Sequence, residues 1–365
     1  MRTAPVAALL LAVLSGAAGD FLLPAQQSAS GLDLRATLTA QAVASNELTQ
    51  APRSGAPLIL GSRAIVYPTV KFNENWFIMG AMQFSTRPYF FSELSQAGYG
   101  AKGTLLQGSL YYSHIFKEGS VLVRAGEMPT AFGAFTLHYD DADNALTGIP
   151  IEYGYYYSPV SILGVAGAQL DATLSKLDAR VQFANSSPTN PRSLFAHDQY
   201  GNWVAGAGYT VRQGFRIGAS AYRGPYLDRQ YLFFAPDEAN PNKLPATAGG
   251  LDINWAHGHT NAQGELQRFV MAYKANPTFR ETAGYGELKQ VLSPRWYVAE
   301  RDGFSIANEG GKTLALETAA GFRPNRFQLI KVGYEFRHRS NVAEPNDNVL
   351  AIQLVTTLHE SVGRE

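Results

Sequence analysis

The chain has 365 residues and no cysteine, and its 30 Lys and Arg balance 30 Asp and Glu. That composition excludes disulfides, thiolate metal sites and a cysteine nucleophile, and it argues against a strongly basic nucleic-acid binder. Charged residues reach only 16%, while 35 Gly, 19 Tyr and 20 Phe suit strands and turns better than long helices.

In chain order, Met1-Arg2 give a positive start, Val6 to Leu14 form an apolar run, and Ala17-Ala18-Gly19 supply the small residues of a cleavage site. This predicts a secretory signal peptide over 1–19, cut before Asp20 and followed by a short segment, 20–30. The apolar run is shorter than the roughly 20 residues a membrane-spanning helix needs, and no later stretch reaches that length.

Beyond residue 30 the pattern has period two. Leu32, Leu34, Ala36, Leu38 and Ala40 alternate with Asp33, Arg35, Thr37, Thr39 and Gln41. The same alternation returns at Leu177–Phe183, Phe215–Ala221 and Gln328–Phe336. One face is apolar and the other polar, as in half-buried strands. Short turns are expected at 73–75, 117–119, 174–176, 212–214, 260–262, 292–294 and 324–326. Longer polar connections fall around 43–62, 88–103, 127–160, 187–199, 224–247, 275–281, 304–312 and 339–347.

Strict alternation of short and long connections is the layout of a transmembrane antiparallel up-and-down β-barrel, all-β, with about 16 strands. A sheet in hydrocarbon must close, since an open edge leaves backbone groups unpaired. The apolar face is often small (Gly164, Ala166, Ala168, Ala205, Ala207), which lipid tolerates but which fills a core poorly. Trp76, Phe116, Trp203, Phe215, Trp255, Trp296 and Phe327 fall at strand ends, where interfacial girdles sit. Two segments break the pattern. Over 265–273 either Arg268 or both Glu265 and Gln267 must face lipid, and 295–301 is ambiguous; a bulge would resolve either.

This architecture, over roughly 31–359, resembles bacterial outer-membrane porins, and loosely the phosphate-selective group. The resemblance rests on the repeated hairpins, the long third loop and the closing strand Asn348 to Leu358. It departs at the end, where Leu350, Ile352, Leu354 and Leu358 run into His359 and a polar tail, 360–365, instead of a terminal aromatic. It implies a water-filled barrel in the outer membrane, reached through the periplasm, passing small hydrophilic solutes or ions. It calls for no cofactor, metal or nucleic acid, and admits a homotrimer in outer-membrane lipid.

The third loop, 127–160, carries Glu127, Asp140, Asp141, Asp143 and Glu152 with no Lys or Arg. In porins the corresponding loop narrows the lumen. Facing it would be Arg35, Lys71, Arg124, Arg180, Arg216 and Arg323, and opposed walls of that kind set up a transverse field. Phe132, Phe135, Tyr153, Tyr155, Tyr156 and Tyr157 could form an aromatic stacking surface for solutes, but loop packing against the barrel wall is the preferred reading. The neutral balance and acidic loop speak against phosphate selectivity, which calls for a ladder of Lys and Arg. The oxygen-rich run Asp140 to Asn144 lacks the glycine and distal Glu of a calcium loop. His257 and His259 lie at a turn without a third ligand. No G-x-S-x-G elbow is present. An outer-membrane lipase or protease whose residues meet only in three dimensions, or a secreted glycan-binding sandwich, is the alternative reading.

Overall fold

In the computed structural model the described residues are 30–46, 58–87, 89, 100–153, 164–185, 201–225, 244–308, 311–340, 342–343 and 345–364. The expected signal peptide, most of segment 20–30 and Tyr155 to Tyr157 lie outside them. Sixteen strands follow in order: β1 (Ser30–Ser45), β2 (Leu58–Lys71), β3 (Trp76–Arg87), β4 (Gly100–Phe116), β5 (Gly119–Pro129), β6 (Gly164–Leu174), β7 (Leu177–Ala184) and β8 (Asn202–Arg212). The second half is β9 (Phe215–Pro225), β10 (Pro245–His257), β11 (Thr260–Met271), β12 (Phe279–Val291), β13 (Trp296–Ala307), β14 (Gly311–Asn325), β15 (Gln328–Arg339) and β16 (Asn346–Arg364). Each pairs antiparallel with the next, and β1 pairs with β16, so the sheet closes on itself.

The period-two sequence dictates which side chains meet water, and the result is the inverse of a soluble core. On β1, Thr37, Thr39 and Gln41 are buried inside while Leu32 and Leu34 are exposed outside. Lys331 and Gln353 are fully buried, whereas Leu251 and Ile352 are exposed. Water would drive those residues the other way. A hydrocarbon surround does not, because it takes the outward apolar side chains while the inner wall pairs its polar groups. Tilted paired rings such as Phe183 with Trp203 and Trp296 with Phe322 sit near strand ends on this outer surface.

The hairpin ends follow local chemistry. Ser175, Gly214 and Gly258 take the positive φ of tight turns, and Asn73 Oδ1 accepts from the backbone N–H of Asn75 and Trp76. Two turns sit about two residues from their expected places: Gly258-His259 joins β10 to β11, and Arg326-Phe327 joins β14 to β15. The expected tail is strand, since β16 continues to Arg364 and pairs with Ser30. Those last polar residues pair with β1 through the backbone. The two irregular segments need no bulge. Registers run without a shift through β11, β12 and β13, so Glu265 and Gln267 face inward while Arg268 faces out. On β13, Tyr297, Ala299 and Arg301 face inward, and Glu300 faces out.

Because Leu251 is 61% exposed on the outer belt, Leu251→Arg is expected to destabilise the barrel in lipid vesicles by about 2–4 kcal/mol. Leu251→Val should stay within about 0.5 kcal/mol. Urea titration of the two variants measures the difference.

Candidate functional site

The connection from β5 to β6 enters the barrel and is fixed there. Its described part runs to Tyr153 and includes two short 3-10 turns, Phe135–His138 and Ile151–Tyr153. Gly133, at φ +78, makes the first sharp bend; a Cβ there would lie 2.7 Å from the Tyr153 hydroxyl.

From Gly133 onward the loop is tied to the wall by side chains that alternation had already aimed inward. On one side Asp141 meets Arg63 at 2.6 Å and accepts from Thr39 at 2.7 Å and Tyr89 at 2.7 Å. Asp140 accepts from Thr37 at 2.9 Å and Tyr67 at 2.6 Å. On the other side Lys331 Nζ donates to three loop carbonyls, those of Asp141, Asn144 and Leu146, at 2.8 to 3.2 Å. Glu317 accepts from the backbone N–H of Thr147 and Gly148 at 2.9 and 2.7 Å. Arg301 donates to Gly148 O and to Asn144 Oδ1, and is itself held by Glu287 at 2.7 Å. Glu265 accepts from Phe135 N and the Tyr153 hydroxyl. None of these wall anchors (Arg63, Glu265, Arg301, Glu317, Lys331) is among the site residues expected from the sequence. The inward parity of Arg63, Glu317 and Lys331 is legible there, that of Glu265 and Arg301 is ambiguous, and the partners of all five are not legible.

Apolar packing completes the attachment. Phe132, Phe135 and Tyr153 join Val204, Tyr222, Phe269, Met271 and Tyr285 in one cluster on the β8–β12 side. Leu146 packs with Tyr297, Leu329 and Val355 on the β13–β16 side. Phe132, Phe135 and Tyr153 therefore follow the loop-packing reading, and the solute-contact reading of these three is corrected. All three are buried, and they dock the loop.

The space left open lies against β1–β7. It is a cavity of about 470 Å³ lined by Arg35, Arg124 and Arg180 on the wall, by Asp140 and Asp143 on the loop, and by Asp33, Tyr67, Gln107 and Tyr139 among others. Five of the expected charged residues thus meet around one space. Arg124 is held by Asp171 at 3.0 Å, and Arg180 donates to Gly133 O at 2.9 Å, while Arg35 is exposed.

The other expected charges go elsewhere. Arg216 is neutralised between Asp178 at 2.6 Å and Asp252 at 2.5 Å. Lys71 and Arg323 lie at the turn ends of β2 and β14, away from the cavity. Glu127 stands an odd number of residues from inward Arg124 and shares the outward parity of Val123 and Ala125. Asp141 faces the wall, and Glu152 is fully buried. Burial alone would raise the Asp141 carboxyl, but Arg63 and Lys331 hold it below the usual aspartate range. The side-chain oxygens of Asp140, Asp141 and Asn144 are committed to separate partners and do not converge as a cation cage; no group of three or more metal-ligating side chains occurs among the described residues. His257 and His259 are exposed at their turn.

Both carboxyl oxygens of Glu152 are buried without a hydrogen-bond partner among the described residues. Burial, and then Glu265 beside it, hold its pKa well above the ordinary value near 4.5. A carboxyl raised by folding binds its proton more tightly in the native state, so stability falls as pH rises from about that ordinary value through the raised one. Glu152→Gln should flatten that slope in urea titrations run at a series of pH values. Arg63→Met, which strands the buried Asp141 carboxylate, is expected to lose about 3–5 kcal/mol in the same titration at neutral pH.

No protein-family model matches the chain, and no curated protein matches it by sequence. Solved structures do match by shape. OmpF of Salmonella typhi, in complex with daunomycin, aligns at a TM-score of 0.62 and 11% identity, covering 92% of this chain and 99% of that one. The anion-selective porin from Comamonas acidovorans aligns at 0.62 and 10%, covering 90% and 100%. OmpT of Vibrio cholerae, in its trimer form, aligns at 0.60 and 10%, covering 90% and 100%. With its closed antiparallel ring of sixteen strands, this chain has the fold of the bacterial outer-membrane porins.

Proposed function

We propose that this chain is an outer-membrane porin that passes small hydrophilic solutes or ions by diffusion, a conduit and not an enzyme. The observation that carries the reading is the loop fixed inside the closed barrel. Among the described residues it leaves a cavity against β1–β7 that brings Arg35, Arg124 and Arg180, with Asp33, on the wall opposite Asp140 and Asp143 on the loop. Sixteen strands is the size at which a barrel keeps a wet interior, and opposed charges at the narrow point sort solutes by size, sign and dipole.

In this reading residues 1–19 are the export signal, 20–30 a short lead and the rest the barrel, with outer-membrane lipid around it. The likeness to the trimer form of Vibrio cholerae OmpT supports a homotrimer. The matched structures include one described as anion-selective. Here the cavity charges are mixed, which fits weak selectivity tunable from either wall.

Purified protein in planar bilayers is expected to give stepwise conductance; folded protein that never conducts would sink the proposal. Replacing Arg35, Arg124 and Arg180 with Gln should move the cation-to-anion permeability ratio toward cations. Replacing Asp140 and Asp143 with Asn should move it toward anions. Each shift is expected to be roughly threefold or more, the effect of about 0.7 kcal/mol of screened Coulomb energy. Reversal potentials in a salt gradient read both.

A further inference from the structure

The outer surface from β11 to β14 breaks the apolar belt. Arg268 lies between inward Gln267 and Phe269, and Glu300 and Asp302 flank inward Arg301, so all three point outward. Glu300 and Asp302 sit in the middle of β13, whereas the outward mid-strand residues are Ala36 and Leu38 on β1 and Ala179 and Val181 on β7. Neither carboxylate has an ion-pair partner among the described residues, and Arg268 donates only to the Thr282 hydroxyl.

The surface beside these charges is low. Gly249 is the register neighbour of Arg268, and Gly286 that of Asp302; a Cβ on either glycine would meet open space. A groove runs on from there past Leu288, Val298, Glu300, Thr318 and Tyr334.

Hydrocarbon satisfies neither sign of charge, and ionisable side chains at membrane depth are normally covered or paired. A closed barrel has no free strand edge, so anything that covers this patch must lie against its outer face. The patch carries a guanidinium and two carboxylates within three strands, which makes it complementary in charge to another patch of the same composition. We propose that a second copy of this chain packs on the β11–β14 face, its Arg268 pairing with Glu300 and Asp302 across the contact. The inference rests on the membrane reading above and goes beyond it by naming the face.

The test counts subunits by single-particle photobleaching of labelled protein in supported bilayers, with folding checked by heat-modifiable gel mobility. Wild type is expected to bleach in two or more steps per particle, and Arg268→Glu in one. Exchanging the signs, with Arg268→Glu, Glu300→Arg and Asp302→Arg together, should restore the multiple steps. If Arg268→Glu fails to fold, Thr318→Trp fills the groove without touching a charge and should also give single steps. Single steps in wild type, or multiple steps in Arg268→Glu or Thr318→Trp, would overturn the proposal. Conductance of the same samples separates the two readings. A single barrel that conducts defeats the docking face and leaves the channel standing, and an associated barrel that never conducts does the reverse.

Discussion

Closure is the constraint on which everything else depends. β1 and β16 pair along their length, from Ser30 with Arg364 to Ser45 with Val349. That ladder removes the last two unpaired edges and lets the sheet stand in a medium that offers its backbone no hydrogen bonds. Once the ring is shut, every strand residue must choose between two environments. The alternation of Thr, Gln and charge with Leu, Val and Ala settles the choice. The interior then has to be filled by water or by the protein itself.

The β5–β6 connection fills much of it, and it does so as a small core turned inside out. Its anchors are ionic on the β2 and β13–β15 walls and apolar on the β8–β12 side. Buried ion pairs contribute little net stability compared with apolar packing, but removing one partner is costly. Arg63 with Asp141, and Lys331 with its three carbonyls, therefore act chiefly to specify where the loop lies. Consequently the cavity that Arg35, Arg124 and Arg180 line is held against β1–β7.

Much of this was legible in the sequence because period two is a local signal. Strand number, closure and the inward parity of Arg35, Arg124 and Arg180 follow from period two and loop length, whereas the inward course of the loop that carries Asp140 and Asp143 was implied only by the resemblance to porins. Parity would also have placed Glu127 outside, since it lies an odd number of residues from Arg124 on one regular strand. What could not be read is what stands opposite. Nothing near Phe135 or Tyr153 reveals that Glu265 and Phe269 await them, and nothing near Arg216 separates it from Arg35 except Asp178 and Asp252 on neighbouring strands. The irregular segments are ambiguous for a different reason. Alternation alone leaves the parity of 265–273 and 295–301 open, with a bulge as one way to resolve it, and the fold instead keeps its register and leaves Arg268 and Glu300 outside.

The contacts of Lys331 carry a consequence for the order in which the molecule is completed. Its partners lie between 185 and 190 residues away along the chain, and Glu317 reaches back about as far to Thr147. Contacts that distant form late, because the intervening chain must be ordered first. The loop can meet β2 and the β8–β12 side as soon as those strands are in place, but its contacts with Arg301, Glu317 and Lys331 wait for β13 to β15. Those strands also bring the ring to its closure, so the aperture reaches its working width only in the last stage of assembly.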